Sequence, residues 1–148
     1  MCKILINIMK SEMFLTIISG VFVFIISQLI MEIIIKPREK FKEVKGKIFC
    51  ILAMYANLIF NPCKIDDMSN RGDYSEASKE IRKIASEFSG MLESHPIVCK
   101  KKKYYDVVNN LIGISNGLFQ ISPEYNTIKE NRKCVNYIYK KFNVKERF

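Results

Sequence analysis

The sequence predicts an all-α protein in which one N-terminal transmembrane helix is followed by a bundle of roughly four helices. Two observations carry this prediction: an uncharged apolar segment near the N-terminus and apolar residues at helical spacing through the rest of the chain. A third is the position of the Pro residues, which fall where these apolar stripes end. No segment has the alternation that would predict a convincing strand.

Composition separates two unlike parts of the chain. Its 148 residues suffice for one domain, and 24 Lys plus Arg against 15 Asp plus Glu give a net charge of +9. The mean hydropathy of +0.02 is an average, because residues 1–35 carry two bases and two acids while the remainder carries the whole excess charge. Few Pro and Gly exclude a low-complexity chain, 49% hydrophobic residues exclude disorder, and five irregularly spaced Cys form no disulfide framework.

The apolar segment predicts a membrane span. Nineteen uncharged residues run from Met13 to Met31, and three Ile after Glu32 extend them to Ile35. A bilayer core about 30 Å thick needs about 20 apolar residues in a helix, so we expect a transmembrane helix over residues 13–35. A cleaved signal peptide is the alternative, but Gln28–Ile35 has bulky or polar residues where a cleavage site has small ones.

The flanking charges predict the orientation of this span. Lys3, Lys10 and the terminal amine precede it, whereas six bases follow it within twelve residues. Since Lys and Arg stay on the cytoplasmic side, residues 1–12 should form a short extracytoplasmic N-terminus and residues 36–148 a basic helical domain in the cytosol, at the inner (cytoplasmic) membrane. The six bases should contact anionic lipid headgroups: Lys36, Arg38, Lys40, Lys42, Lys45 and Lys47.

Small residues form a stripe within the span. At about 100° per residue, Thr16, Gly20 and Ser27 share one helix face. Small side chains permit close approach of a second helix, so this stripe is a candidate self-association face. The alternative is that Ser, Thr and Gly are simply common in membrane spans.

The cytosolic part reads as four amphipathic helices. The first runs from about Arg38 to Phe60, where Asn61-Pro62 ends it. Its uncharged half, Ile48–Phe60, is too short to span a bilayer and predicts a buried core helix, with a re-entrant segment as the alternative. The second begins at Asp73 or Ser75, and its apolar stripe reaches Leu92. The third begins near Tyr104 and reaches Phe119, and the fourth begins at Ser122-Pro123 and reaches Phe142. Short loops favour an up-and-down bundle.

The sequence offers little for chemistry. His95 and Cys99 suggest zinc or thiol chemistry, but Pro96 breaks the helix that would place them on one face. A calcium loop beginning at Asp66 would need Glu at its twelfth position, where Ala77 stands. We therefore expect no catalytic residue, no metal and no cofactor, and a protein that is not an enzyme.

Polar residues within the apolar faces form a second candidate site. If buried, they must find hydrogen-bond partners: Tyr55, Asn57, Arg82, Ser86 and Asn116. They could form a network that fixes helix register or a polar site for a small ligand. Gly113 and Gly117 predict a close helix approach, because a helical Gly costs about 1 kcal/mol relative to Ala.

Several short motifs occur in a particular order: Lys36-Pro37, Gly46-Lys47-Ile48, Tyr55-Ala56-Asn57, Asn61-Pro62, Ala77-Ser78, Ile81-Arg82, Ile84-Ala85-Ser86 and Leu111-Ile112-Gly113-Ile114-Ser115-Asn116. Over roughly residues 20–118 the chain resembles a family of uncharacterised small bacterial single-span membrane proteins. Lys36 departs from the acidic residue that precedes the Pro in that family. The resemblance implies an N-terminal anchor and a helical cytosolic domain, and it carries over no activity.

Two hypotheses of function follow. The first is a membrane-anchored, non-enzymatic helical protein that acts through a protein partner or self-association at the cytoplasmic membrane face. The second is a membrane-active effector of a bacterial defence or toxin system, suggested by the uncharged Ile48–Phe60 helix. Anionic lipid accounts for the charge of +9. Since Trp is absent and no nucleic-acid-binding pattern is present, we do not expect a nucleic-acid partner.

Overall fold

The computed structural model describes residues 12–64, 71–97, 99–120 and 126–144. Its elements are α1 (Glu12–Ile30), a π-helical turn (Met31–Ile35), α2 (Lys36–Met54), α3 (Ala56–Phe60), β1 (Cys63–Lys64), α4 (Arg71–Ser94), α5 (Lys101–Asn116), β2 (Phe119–Gln120) and α6 (Thr127–Lys141). The predicted all-α fold, a long apolar N-terminal helix followed by packed helices, is confirmed. The chain divides into two compact units, Met1–Arg38 and Glu39–Phe148, and we call the second the body.

Within the described residues, the first unit comprises α1, the π-helical turn and the first three residues of α2. None of the residues of α1 is buried. α1, the π-helical turn and α2 follow one another without a break from Glu12 to Met54. Within the described residues, this is the one continuous helix that is long and apolar enough to cross a membrane. The predicted N-terminal segment, residues 1–12, lies almost wholly outside the described residues.

The body is built around one apolar stripe from each helix. Burying a large apolar side chain stabilises a fold by about 1.5–3 kcal/mol, so these stripes supply most of the driving force for packing. The buried members include Val44, Ile48 and Leu52 from α2, Ile59 from α3, Ala77, Ile81, Ile84, Phe88 and Leu92 from α4, Val107, Leu111 and Ile114 from α5, and Val135, Ile138 and Tyr139 from α6. The burial of Ile48, Leu52 and Ile59 is the arrangement predicted for a core helix.

The helix predicted over residues 38–60 is interrupted at one residue. Tyr55 leaves helical geometry, with φ −99° and ψ 14°, and separates α2 from the short α3. The side chain of Asn61 then ends α3 by donating from Nδ2 to the carbonyl oxygen of Asn57 at 2.9 Å. An apolar stripe can continue through such a break, which is why periodicity alone did not reveal it.

Helix starts differ modestly from the sequence prediction. The helix expected from Asp73 or Ser75 begins at Arg71. The start predicted at Ser122-Pro123 lies outside the described residues, and α6 begins at Thr127. Asn126 caps α6, because its Oδ1 accepts from the backbone N–H of Lys129 at 3.0 Å.

Two very short strands connect the loops after α3 and α5. Cys63 pairs with Phe119 and Lys64 with Gln120 in parallel register. The N–H of Cys63 donates to the carbonyl oxygen of Leu118 at 2.9 Å. Strands of two residues are too short to show a detectable alternation, so the sequence did not predict them.

A buried Asn in α6 joins three segments near these strands. Asn131 is 2% exposed, and its Nδ2 donates to the carbonyl oxygens of Ile59 and Gly117, each at 2.8 Å. Two backbone acceptors at the ends of α3 and α5 are thereby satisfied. A Cβ at Gly117 would lie 2.0 Å from the Asn131 Oδ1, so only Gly permits this approach.

We predict that Gly117→Ala destabilises the full chain by about 2–3 kcal/mol, because the added methyl overlaps Asn131 and strains a packed core. Thermal unfolding in detergent, followed by circular dichroism, measures the change. Gly113→Ala is the matched control on the same helix: its Cβ would meet Cys134 Sγ at 3.4 Å. This control should be neutral or gain up to about 1 kcal/mol of helix propensity. Equal melting temperatures for the two variants would contradict the proposed overlap.

Candidate functional site

Among the described residues, most of the exposed large apolar side chains lie on the N-terminal unit. Fourteen large apolar side chains from Met13 to Ile34 are between 38% and 74% exposed. Soluble monomers rarely leave so much contiguous apolar surface in water. This surface therefore requires a cover, and its length matches the hydrocarbon core of a bilayer.

The three small residues of the predicted self-association stripe are placed along this helix. The hydroxyl of Thr16 donates to the carbonyl oxygen of Glu12 at 2.9 Å, and that of Ser27 to the carbonyl oxygen of Val23 at 2.7 Å. A Cβ at Gly20 would meet nothing within 4 Å. With its hydroxyls satisfied internally, the stripe presents a shallow, open surface to a second helix.

Three of the six bases predicted to contact lipid form ion pairs within the protein. Lys36 Nζ pairs with Glu32 Oε1 one turn earlier. Lys40 and Lys47 Nζ lie 3.4 and 3.0 Å from Glu87 Oε1, and both also pair with Glu43. These lysines are therefore partly neutralised by nearby carboxylates.

The same ion pairs shift the pKa values of their members. A hydrogen bond from Lys47 lowers the pKa of the Glu87 carboxyl, and Lys47 likewise lowers the pKa of the Glu43 carboxyl. In return, the hydrogen bond to Glu43 raises the pKa of the Lys47 ammonium. Because Glu87 lies on α4 and Lys47 on α2, the cluster links two helices of the body across its surface.

The remaining predicted lipid contacts differ in their surroundings. Lys45 Nζ donates to the carbonyl oxygen of Phe142 at 3.3 Å and lies 5.2 Å from the centroid of that ring. Arg38 and Lys42 are exposed, and neither forms an ion pair with any described residue. Of the six bases, these two are the least engaged within the described chain.

Two of the five predicted polar-network residues are brought together. Arg82 Nη2 donates to Asn116 Oδ1 at 2.5 Å, while its Nε donates to Ser115 Oγ at 2.8 Å. Ser115 is 1% exposed and also lies within hydrogen-bond distance of Ser78 Oγ, at 3.4 Å. Sequence reasoning missed Ser115 and Ser78 because small hydroxyl residues on a helix face carry little pattern.

The other three members lie elsewhere. Tyr55 is half-buried. Burial raises the pKa of its hydroxyl, and the negative charges of Glu76 and Glu80 raise this pKa by a smaller amount. Asn57 accepts from Asn61, and Ser86 is exposed. Among the described residues, no hydrogen bond joins these three to Arg82. The hydrogen bonds of Arg82 connect α4 to α5.

The surroundings of Cys99, Cys134 and His95 bear on the thiol and zinc chemistry considered from the sequence. Burial raises the pKa of the Cys99 and Cys134 thiols, which disfavours the nucleophilic thiolate. His95 Nδ1 is buried and makes no hydrogen bond to a described residue. In the part of the chain that the structure describes, no three His, Cys, Asp or Glu side chains are arranged to hold a metal ion.

A basic surface forms where α4 ends and α5 begins. Pro96, Ile97 and Lys100–Lys103 line a depression of about 440 Å³, and we call these residues the basic tip. Ile97 is 90% exposed. The run of lysines is evident in the sequence, but the exposure of Ile97 was not predicted. The position of this apolar residue between a Pro and a run of lysines could have indicated an exposed side chain.

Comparison of the chain with protein-family models, with curated proteins and with solved structures found no match. The chain's own geometry therefore carries the functional argument.

We predict that Arg82→Met costs about 1–2 kcal/mol of stability, since it removes two hydrogen bonds that hold α4 against α5. Lys83→Met is the control, because Lys83 is the next residue of α4 and is 76% exposed. Arg82→Lys should recover only part of the loss, because an ammonium cannot match the fork of the guanidinium. An unchanged melting temperature for Arg82→Met would favour a ligand-binding role over a register-fixing one.

We also predict that the contribution of Glu87 depends on pH. Its carboxyl pKa is lowered from an ordinary value of 4.5, so it stabilises the folded chain above that pH and loses the effect as pH falls through the lowered value. Glu87→Gln should lower the melting temperature at neutral pH, and the gap to the unsubstituted chain should close in acid. A gap that persists at low pH would indicate lost packing instead of lost charge.

Proposed function

We propose that the protein is a membrane-anchored, non-enzymatic helical protein that acts through self-association or a protein partner at the cytoplasmic membrane face. One observation carries the proposal: α1 and the π-helical turn leave fourteen large apolar side chains exposed over a length suited to a bilayer. The body, by contrast, buries its own apolar stripes in one core.

The charges around the span support an orientation with the N-terminus outside and the body in the cytosol. Six bases follow the span within twelve residues, against two Lys before it. Arg38 and Lys42, exposed and free of ion pairs within the described chain, are the members of this group best placed to bind anionic headgroups.

Association through α1 is supported by its stripe of small residues. Thr16 and Ser27 satisfy their hydroxyls within the helix, and Gly20 leaves space for a second backbone. Helices in lipid associate through van der Waals packing of such surfaces. A second copy of the same helix meets this requirement without any further component.

The alternative of a membrane-active effector depends on insertion of residues 48–60. Ile48 and Ile59 are fully buried and Leu52 is 2% exposed. Insertion would require these side chains to leave the core, and each large apolar partner that they leave exposed to water would cost about 1.5–3 kcal/mol. The effector hypothesis would therefore need a trigger that opens the body.

We predict that thiol labelling will report the proposed orientation. On intact bacterial cells, a membrane-impermeant maleimide should label Cys2 but not Cys50, an exposed thiol on α2. On intact cells, the Cys2→Ser variant should not be labelled. The Cys50→Ser variant should be labelled like the unsubstituted chain on intact cells and less than that chain on permeabilised cells. If labelling of intact cells depends on Cys50, the orientation is the opposite of the one that we propose.

We predict that Gly20→Ile weakens self-association of the full chain by about tenfold in detergent micelles, because added bulk in a close helix contact costs about 1–3 kcal/mol. Sedimentation at several protein-to-detergent ratios measures this change. Leu29→Phe, which adds bulk on the opposite face of α1, should leave association unchanged. A native chain that sediments as a monomer, and captures no partner on cross-linking in membranes, would contradict the proposal.

A further inference from the structure

The basic tip is held in a fixed conformation by its backbone. The N–H of Cys99 donates to the carbonyl oxygen of His95 at 2.9 Å, and the N–H of Lys101 donates to that of Pro96 at 2.9 Å. Cys99 is 2% exposed and fastens the turn to the core. Ile97 lies within the segment that these hydrogen bonds close, and its side chain is 90% exposed.

The lysines of the tip are less neutralised than those that follow the span. Lys101 Nζ pairs with Glu93 at 2.7 Å. Lys100, Lys102 and Lys103 are exposed and form no ion pair with a described residue. Their positive charges also lie beside the N-terminus of α5, where the helix dipole makes cations unfavourable. Folding of the body does not account for this arrangement, but an anionic partner would stabilise it.

The tip lies at the end of the body where the chain enters from the apolar segment. The Tyr104 ring, directly after the lysine run, lies 5.0 Å from the Phe41 ring at the start of the body. Phe41 follows Ile35 by six residues, which span at most about 20 Å in any conformation. If residues 13–35 cross the membrane, the chain therefore limits Phe41 to that distance from the end of the span.

We propose that the basic tip docks on the anionic phospholipid headgroups of the leaflet that the body faces, with Ile97 entering the interfacial layer and the lysines binding lipid phosphates. An apolar residue surrounded by cations suits an anionic bilayer surface, since the aliphatic side chain enters the acyl boundary while the ammonium groups remain at the phosphates. This inference rests on the proposed membrane anchor. It gives the body a second contact with the bilayer and thereby restricts its movement relative to the membrane.

The absence of Trp from the native chain permits a direct test. The full chain carrying Ile97→Trp is reconstituted in phosphatidylcholine vesicles with and without phosphatidylglycerol, and its fluorescence is measured with brominated lipids as quenchers. We expect a blue-shifted, quenched emission that needs the anionic lipid. Ile128→Trp is the control, because Ile128 is 45% exposed in the first turn of α6, away from the tip; its emission should remain that of a Trp in water.

Charge variants of Ile97→Trp test the lysines. Lys100→Gln with Lys102→Gln should lower the equilibrium constant for docking by about fivefold for each lysine, and added salt should act in the same direction. Lys79→Gln with Lys83→Gln, on the exposed face of α4, is the matched control and should have no such effect. Quenching that is insensitive to both pairs would overturn the role of the lysines.

A third reporter separates this inference from the anchor. Phe22→Trp lies within the apolar segment and should be quenched in both kinds of vesicle. If it is quenched while the Ile97→Trp variant emits as a Trp in water, the anchor stands and the docking inference is wrong. If it is not quenched, the anchor fails and docking fails with it. A blue-shifted emission of the Ile97→Trp variant that brominated lipid does not quench would mean that protein covers the tip, which also overturns the inference.

Discussion

Four aromatic rings, two buried in the core and two packed against it, contact one another at one end of the body. Phe41 comes from α2, Phe88 from α4, Tyr104 from α5 and Phe142 from the residue that ends α6. The five ring pairs among them have centroid separations of 5.0 to 6.3 Å. Each ring contacts at least two others, so displacing any helix would separate more than one aromatic pair. The position of the tip relative to the start of the body follows from this cluster.

The opposite end of the body is held by polar contacts. Asn131 joins the ends of α3 and α5, and the hydroxyl of Tyr74 donates to the carbonyl oxygen of Asn61 at 2.5 Å. Backbone groups left over at helix ends are satisfied there by side chains and by the short pairing of β1 with β2. The two ends therefore differ in chemistry: one is aromatic and basic, and the other is closed by hydrogen bonds to the backbone.

Local patterns in the sequence predicted most of the fold, and long-range contacts account for what they missed. The stripes of α4, α5 and α6 were predictable because each repeats at the helical period. The contact of Asn131 with Ile59 joins residues 72 positions apart, and no local pattern encodes it. Arg82 and Asn116 were selected by residue type, whereas the participation of Ser115 depends on the register of α4 against α5. The break at Tyr55 is compatible with the same apolar stripe as an unbroken helix.

These contacts determine where the net charge of +9 is balanced within the protein and where it is not. Lys36, Lys40 and Lys47 are paired with Glu side chains, so much of the positive charge directly after the span is balanced internally. Arg38 and Lys42 keep unbalanced charge at the start of the body, and the tip adds more, because its Lys103 directly precedes Tyr104, whose ring contacts Phe41. An anion bound there would relieve repulsion at the first turn of α5 and so stabilise the helix that carries this ring. Lipid bound at the tip would therefore lie beside Tyr104, one of the four rings of the aromatic cluster.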